Sequence, residues 1–285
     1  MSSGNHRRRD FLATAEGRVG RPIGIAGRQC WKKNDGMKTL LLLPLVLVGL
    51  IWANVARAAE QKPVLMVLTS HGELGDTGKP TGFFLGELTH PLEVFEKAGI
   101  AVEFASVKGG EPPVDGMDLE DEVNARYWND PEFRAKLAAT KKLSEIDPSD
   151  YAGVYFSGGH GTMWDFPDDE AVQKTAREIY EAGAPVGAVC HGPAALVNVK
   201  LSDGSYLVDG KDVSAFTNDE EETVGLTEVV PFLLASKLEE RGAKHQPAPN
   251  FEKQVVASGR LVTGQNPASA AGVAQKMVEI LESKP

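Results

Sequence analysis

Short runs of β-forming apolar residues alternate with segments of helical periodicity through most of this chain. The run Val64–Thr69 is uncharged and follows Pro63, as is typical of a strand buried on both faces of a parallel sheet. Apolar residues at helical spacing follow in Glu87–Ala98, which stops at Gly99, and Val102–Ala105 is the next short run. Strand, helix and strand in this order predict a βαβ unit, because parallel strands need a crossover connection.

The same alternation continues in the second half of the chain. Strands are predicted at Gly153–Phe156, Pro185–Val189, Val213–Phe216, Gln254–Ala257 and Leu261–Thr263, and helices at Asp168–Glu181, Val229–Arg241 and Ala268–Glu282. Between the two halves, a polar helix is predicted at Pro131–Lys142, but too few large apolar residues surround it for a separate core. The sequence therefore predicts one α/β domain at 59–285, with a doubly wound, mostly parallel, flavodoxin-like sheet, helices on both faces and a surface insertion at about 109–150.

The first 58 residues are predicted to be a leader that the working protein lacks. Lys38 precedes the uncharged apolar run Leu40–Trp52, and Ala56-Arg57-Ala58 supplies the small residues of a cleavage site. This pattern predicts a signal peptide at 37–58 and export to a periplasmic or secreted location. A retained membrane anchor is the alternative, but the run has 13 residues, whereas about 20 are needed to cross a bilayer.

Residues 1–36 precede this signal peptide. An over-long gene start is the favoured explanation, because Met37 stands where the charged region of a signal peptide normally begins. The alternative is a twin-arginine export motif, which Arg8-Arg9 followed by Phe11-Leu12 resembles. Its apolar run would begin 28 residues further on, at Leu40, which is far for such a motif.

Removal of the leader leaves a strongly acidic protein with one cysteine. The full chain has 30 basic and 40 acidic residues, of which the leader carries 10 and 3, so the remainder has a net charge of −17. Such a surface repels nucleic acid and anionic lipid, so neither nucleic acid nor, after cleavage, a membrane is an expected partner. Cys30 is removed with the leader, and Cys190 remains as a lone thiol that is either inert in the core or reactive.

Cys190 is predicted to lie on a sharp turn at the carboxyl end of a strand, where ligands bind in open parallel sheets. Val186–Val189 is the strand and Pro193 can begin a helix, so Cys190 and His191 occupy the turn between them. This is the arrangement of a nucleophile elbow, in which a strained backbone lifts the side chain above the sheet. The amino end of the helix is expected to favour the thiolate, and His191 is the candidate base.

A glycine-rich loop follows the predicted strand Gly153–Phe156. Its residues Gly158 and Gly159 let the backbone approach a ligand closely, and their N–H groups, with that of His191, are expected to hold a developing oxyanion. His160 in the same loop is a candidate substrate-binding residue. No metal site is predicted, because the side chains that might join His160 lack the spacing of paired ligands: His71, Glu73 and Asp76.

Three segments, SGGHG at 157–161, AVCHGPAAL at 188–196 and VTGQNPAS at 262–269, resemble the ThiJ/PfpI superfamily, which has the class I glutamine amidotransferase-like fold. Within it, they most resemble the glutathione-independent, glyoxalase III-like branch of heat-inducible chaperone relatives, over roughly residues 62–283. The resemblance implies that Cys190 is the nucleophile and His191 its base. It also implies that Glu87 hydrogen-bonds the thiol, whereas the residues alone favour a first-turn glutamate stabilised by the helix dipole.

The branch also has an acidic residue, after the next strand, that orients the histidine. Among the four carboxylates that follow Asn218, spacing makes Glu221 the best match, with Asp219, Glu220 and Glu222 as alternatives.

The resemblance further implies a reaction. It is the conversion of methylglyoxal-type 2-oxoaldehydes to 2-hydroxy acids such as D-lactate through a Cys190 hemithioacetal, by a cofactor-independent lyase of the D-lactate dehydratase type that forms a homodimer. Two alternatives use the same fold: a redox-responsive holdase chaperone in which Cys190 is oxidised, and a cysteine peptidase of the PfpI type. Glutamine amidotransfer fits least, because Cys190-His191-Gly192-Pro193 departs from the G-x-C-x-G-x-Q elbow of those enzymes.

Overall fold

The computed structural model describes residues 62–283, so the predicted leader at 1–36, the predicted signal peptide at 37–58 and Cys30 lie outside the described residues. In chain order, the strands are β1 Val64–Leu68, β2 Phe83–Phe84, β3 Val102–Ser106, β4 Val114–Asp115, β5 Lys141–Lys142, β6 Gly153–Phe156, β7 Val186–Val189, β8 Asp212–Val213, β9 Lys244–His245, β10 Val255–Ser258 and β11 Leu261–Gly264.

The α-helices are α1 Gly86–Lys97, α2 Glu122–Trp128, α3 Pro131–Ala138, α4 Thr162–Asp165, α5 Glu170–Glu181, α6 Asn218–Thr223, α7 Leu234–Glu240 and α8 Ala270–Glu282. A short 3₁₀ helix, Gly192–Leu196, follows β7. Within residues 62–283, none of the helices has both the length and the apolar character needed to cross a bilayer.

Seven of the strands form the central sheet, in the order β10-β11-β7-β6-β1-β3-β5. Every neighbouring pair is parallel except β10 with β11 at one edge. This arrangement confirms the mostly parallel α/β sheet that the sequence predicts. Because β6 and β7 are neighbours and parallel, the loops that follow them leave the sheet at the same edge.

Helices cover both faces of this sheet. All five residues of β1 are buried, and their side chains point alternately to opposite faces. Leu65 and Val67 pack in a cluster that contains the apolar side of α5. Val64, Met66 and Leu68 pack in a second cluster with α1 and α8. The near-continuous apolar character of β1 is therefore a consequence of burial on two sides.

The region at 109–150 contains more structure than the single polar helix predicted there. Helix α2 was not predicted; it begins where the Asp121 side chain accepts hydrogen bonds from the N–H groups of Val123 and Asn124. Helix α3 ends at Ala138, four residues earlier than expected, and Lys141–Lys142 instead extends the central sheet beside β3. The region shares the core of the domain through buried side chains in the cluster that holds α1: Tyr127, Phe133 and Leu137.

Two other predicted elements are shorter than expected. The helix predicted at Val229–Arg241 begins at Leu234, three residues after Pro231. Of the strand predicted at Val213–Phe216, only Val213 is paired, in the small sheet of β8 and β9. The backbone N–H of Phe216 instead donates to the Cys190 carbonyl oxygen at 3.0 Å, so this segment supports the turn after β7.

Candidate active site

The turn after β7 holds Cys190 in a strained conformation. Its φ angle is +58°, in the left-handed region that costs a non-glycine residue about 1–3 kcal/mol. Neighbouring segments hold both backbone groups of Cys190: its N–H donates to Gly264 at 2.9 Å, and its carbonyl accepts from Phe216. The structure therefore contains the sharp turn that the sequence predicts, with its strain offset by hydrogen bonds.

The segment after Cys190 differs from the expected α-helix. Gly192–Leu196 is a 3₁₀ helix, and it packs so closely on β6 that a Cβ atom at Gly192 would lie 2.4 Å from the Phe156 carbonyl oxygen. Burial raises the pKa of the Cys190 thiol well above its usual range. This direction is opposite to the expectation that a helix amino end favours the thiolate, because burial disfavours the charged form of the sulfur.

His191 lies between the thiol and a carboxylate. Its Nδ1 is 3.4 Å from the Cys190 sulfur and its Nε2 is 2.7 Å from Glu221 Oε2. Burial and the nearby His160 lower the pKa of His191 to about 4, so the ring is neutral at pH 7. Because a carboxylate accepts at Nε2, the ring proton belongs there, and Nδ1 is left to accept the thiol proton.

Glu221 binds two histidines at once. Its Oε2 faces His191, and its Oε1 lies 2.9 Å from His160 Nε2. Burial opposes ionisation of this carboxyl, but the hydrogen bonds with His160 and His191 outweigh burial and lower its pKa to about 2. Glu221 is therefore ionised at neutral pH.

The four acidic residues at 219–222 have different surroundings. Asp219 and Glu222 are exposed, whereas Glu220 and Glu221 are buried. Glu220 faces away from His191, because its side chain closes a capping box with Thr217 at the start of α6. Of the four, the structure brings Glu221 to His191.

Glu220 links α6 to the loop after β11. One of its oxygens accepts hydrogen bonds from the side-chain amides of Gln265 and Asn266, at 3.1 and 2.9 Å, and from the N–H of Phe251 at 2.7 Å. Sequence reasoning gave these residues no role, although Gln265 and Asn266 lie in the segment VTGQNPAS that carried part of the resemblance. They hold the first turn of α6, and so the backbone that presents Glu221.

Glu87, in the first turn of α1, is fully buried beside Cys190. Within residues 62–283, its carboxyl oxygens have no hydrogen bond of regular geometry. Burial raises its pKa to about 8, although the Cys190 thiol and the Gly158 N–H are near enough to offset part of this effect. Glu87 is therefore mostly protonated at pH 7, as a hydrogen-bond donor to sulfur must be.

The loop after β6 is packed against the turn that holds Cys190. A Cβ atom at Gly158 would lie 2.3 Å from Glu87 Oε2, and one at Gly159, whose φ is +103°, would lie 2.4 Å from the Gly82 carbonyl oxygen. The Gly158 N–H faces Glu87, so Gly159 is better placed of the two to meet a substrate oxygen. The His160 side chain pairs with Glu221.

His71 has different neighbours from His160. His71 stacks on Trp164, with ring centroids 5.1 Å apart, and its Nε2 is 2.6 Å from the Glu73 carbonyl oxygen. In the described part of the chain, His71, Glu73 and Asp76 do not converge with His160 as a group of metal-ligating atoms.

Burial of Glu87 gives a testable effect of pH on stability. The unfolded chain releases this proton near pH 4.5 and the folded chain near pH 8. Folding therefore takes up a proton between these values, and the free energy of unfolding falls as the pH rises from about 4.5 to about 8. Glutamine does not ionise, so the free energy of unfolding of Glu87→Gln does not fall in this way. We expect it to exceed that of the wild type by about 3 kcal/mol at pH 7 and to equal it at pH 4.

Denaturant unfolding at the two pH values measures this difference. Glu111→Gln, which removes an exposed carboxylate, serves as the control and should change little at either pH. A Glu87→Gln protein whose stability relative to wild type is the same at pH 4 and pH 7 would contradict the buried, protonated carboxyl.

The sequence is similar to one protein family and to curated proteins that share a related name. Residues 81–280 match the DJ-1/PfpI family. The chain is 36% identical over 237 residues to glyoxalase 3 of Candida albicans, covering 77% of this chain and 98% of that protein. It is 33% identical over 235 residues to the glutathione-independent glyoxalase HSP31 of Saccharomyces cerevisiae, covering 78% and 99%.

Solved structures agree with this similarity. The Rapid Encystment Protein of 24 kDa from Francisella tularensis superposes with a TM-score of 0.75 at 38% identity, covering 78% of this chain and 99% of that one. Glyoxalase III of Candida albicans superposes with a TM-score of 0.72 at 34% identity, covering 77% and 97%.

Proposed function

The chain belongs to the DJ-1/PfpI family, and from this premise we propose that it is a glutathione-independent glyoxalase that converts methylglyoxal-type 2-oxoaldehydes to 2-hydroxy acids such as D-lactate. The observation that carries the proposal is the continuous contact from the Cys190 thiol through His191 to Glu221. Relatives aligned over nearly their whole length are named glutathione-independent glyoxalases.

The first step is attack of sulfur on the aldehyde carbon. As the S–C bond forms, the thiol proton passes to Nδ1 of His191, and the aldehyde oxygen gains the negative charge. Glu221 stabilises the imidazolium that results, since it is ionised and lies 2.7 Å from Nε2. The N–H groups of Gly159 and His191 stabilise the oxyanion. The oxyanion then takes the proton back from the His191 imidazolium, which gives the hemithioacetal and leaves the imidazole neutral for the next step.

The second step moves hydrogen between the two substrate carbons. His191 removes the proton from the carbon bonded to sulfur and gives an enediol, and a proton is returned to the neighbouring carbon. The product is the thioester of a 2-hydroxy acid. Water then cleaves the S–C bond and restores the thiol, so methylglyoxal plus one water becomes lactate, with no net oxidation and no cofactor.

Glu87 acts on the sulfur in this scheme. A protonated carboxyl with no other regular partner among residues 62–283 is free to donate to sulfur when the thiol proton leaves. This donation compensates in part for the desolvation that raises the pKa of the Cys190 thiol.

D-lactate formation tests the proposal directly. Protein beginning at Ala59 is mixed with methylglyoxal in the presence of a metal chelator and without glutathione, and lactate is measured with stereospecific dehydrogenases. We expect one D-lactate for each methylglyoxal consumed. Loss of methylglyoxal without lactate would mean simple adduct formation and would refute the glyoxalase assignment.

We also propose the setting in which the enzyme works. The segment at 37–58 exports the chain, the mature protein begins at Ala59, and it acts as a homodimer on small oxoaldehydes without binding a membrane. Mass spectrometry of the mature protein tests the cleavage site, and light scattering tests the dimer.

A further inference from the structure

Two histidines and one glutamate converge beside the nucleophile. His160 Nε2 is 2.9 Å from Glu221 Oε1 and His191 Nε2 is 2.7 Å from Glu221 Oε2. The three ligand atoms lie within 4.8 Å of one another, and they form the group of potential metal ligands found in residues 62–283. The proposed reaction uses His191 and Glu221 but gives His160 no chemical task.

We propose that His160, His191 and Glu221 form a binding site for Zn²⁺, and that zinc bound there inhibits the enzyme. Two histidines and one carboxylate are a donor set that zinc takes with its fourth position open. Zinc–ligand bonds of about 2.0–2.1 Å place tetrahedral ligands about 3.3 Å apart. The two imidazole nitrogens and one Glu221 oxygen all lie within 4.8 Å of one another, so side-chain movements of about 1–2 Å bring them to that separation.

The surroundings leave one side of this site open. The side chain of His160 is 18% exposed, whereas that of His191 is fully buried. The two rings lie 4.0 Å apart between centroids, and Phe216 packs on His191 at 4.4 Å, which limits rotation of the buried ring. An ion therefore enters past His160, and its fourth ligand is a water on that side.

Cys190 does not take part in this site. Its sulfur lies 3.4 Å from Nδ1 of His191, whereas Glu221 binds Nε2 at the other edge of the ring. A zinc ion at Nε2 is therefore separated from the thiol by the imidazole. This geometry distinguishes the site from a zinc–thiolate site, for which Cys190 would be the strongest ligand.

Inhibition follows from the position of the ring proton. Zinc binds the lone pair of a neutral imidazole, so coordination at Nε2 places the proton of His191 on Nδ1. Nδ1 then points an N–H at the Cys190 sulfur and can no longer accept the thiol proton. The zinc site stands on geometry alone, whereas this inhibition rests on the proposed function.

Zinc affinity, measured by competition with a chromophoric chelator, tests the site. We expect one Zn²⁺ per chain, and an affinity at least about 10-fold weaker in His160→Gln, which lacks one ligand. The matched control is His90→Gln, because His90 also pairs with a carboxylate, Asp121, at 3.1 Å, but has no second histidine. His90→Gln and Cys190→Ser should bind zinc as the wild type does.

Three binding results would overturn the site: no zinc binding, undiminished binding in His160→Gln, or loss of binding in Cys190→Ser. The rise in melting temperature that zinc gives the wild type, and not His160→Gln, provides a second readout on protein shown to be folded.

A parallel assay of D-lactate formation tests the inhibition. We expect the rate to fall with the same midpoint as zinc binding, to recover with chelator, and to need at least about 10-fold more zinc in His160→Gln. Zinc that binds through His160 without slowing the reaction would overturn the tautomer argument. A protein that makes no lactate even without zinc would refute the proposed function, and the binding measurement would still decide the site.

Discussion

We expect D-lactate formation to fall by at least about 10³-fold when Cys190 is replaced by alanine. The reaction as proposed begins with an S–C bond, and no other thiol is found in residues 62–283. His191 and Glu221 cannot compensate, because neither is placed to form that bond. The comparison is made between wild type and Cys190→Ala at saturating methylglyoxal, with D-lactate as the readout.

Cys190→Ser separates loss of the nucleophile from loss of packing. It keeps a side chain of similar size and a proton for His191 to accept, but an alcohol is a far weaker nucleophile than a thiol. We expect it to be about as inactive as Cys190→Ala, with circular dichroism like that of the wild type. Turnover that survives in a folded Cys190→Ala protein would rule out the covalent mechanism.

A second large loss, of about 10²–10⁴-fold in kcat, is expected from Glu221→Gln. Ionised Glu221 fixes the proton of His191 on Nε2 and stabilises the imidazolium that forms during attack. A neutral amide can instead donate to Nε2, which moves the ring proton to Nδ1 and blocks transfer from Cys190. Steady-state kinetics give kcat and KM separately, and the loss should lie in kcat.

Glu222→Gln is the matched control for this variant. It makes the same chemical change one position further along α6, at an exposed carboxylate, and should leave kcat within about twofold because surface changes of this kind are small. Equal losses in the two variants would mean that general charge on α6 matters, not the contact with His191.

The sequence alone was sufficient to predict most of the fold. An uncharged run such as Val64–Thr69 reflects burial of a strand on both faces of the sheet. Helical spacing in Glu87–Ala98 reflects burial of one side of a helix. Both patterns can be read directly from the sequence. The errors fall where local pattern and tertiary contact disagree. The sequence predicts a helix that ends at Lys142, but the edge of the sheet beside β3 offers Lys141–Lys142 backbone partners.

Part of the site was also predictable from the sequence. Strand, Cys190, His191 and Pro193 in succession predict a sharp turn that lifts the nucleophile above the sheet, because backbone geometry follows from the order of residues. The choice among four neighbouring acids rested on a resemblance. Only the structure separates them, since the position of each side chain depends on how α6 is held through Glu220 by the loop after β11.

The sequence by itself therefore determined the order of strands and helices and the place of Cys190 on a turn, since both depend on neighbours a few residues away. The tertiary structure decided the electrostatics. Burial reversed the expected shift in the pKa of the Cys190 thiol and protonated Glu87. The tertiary fold also brought His160 to Glu221, which lies 61 residues further along the chain. Desolvation and such contacts depend on packing between distant segments, which no local pattern encodes.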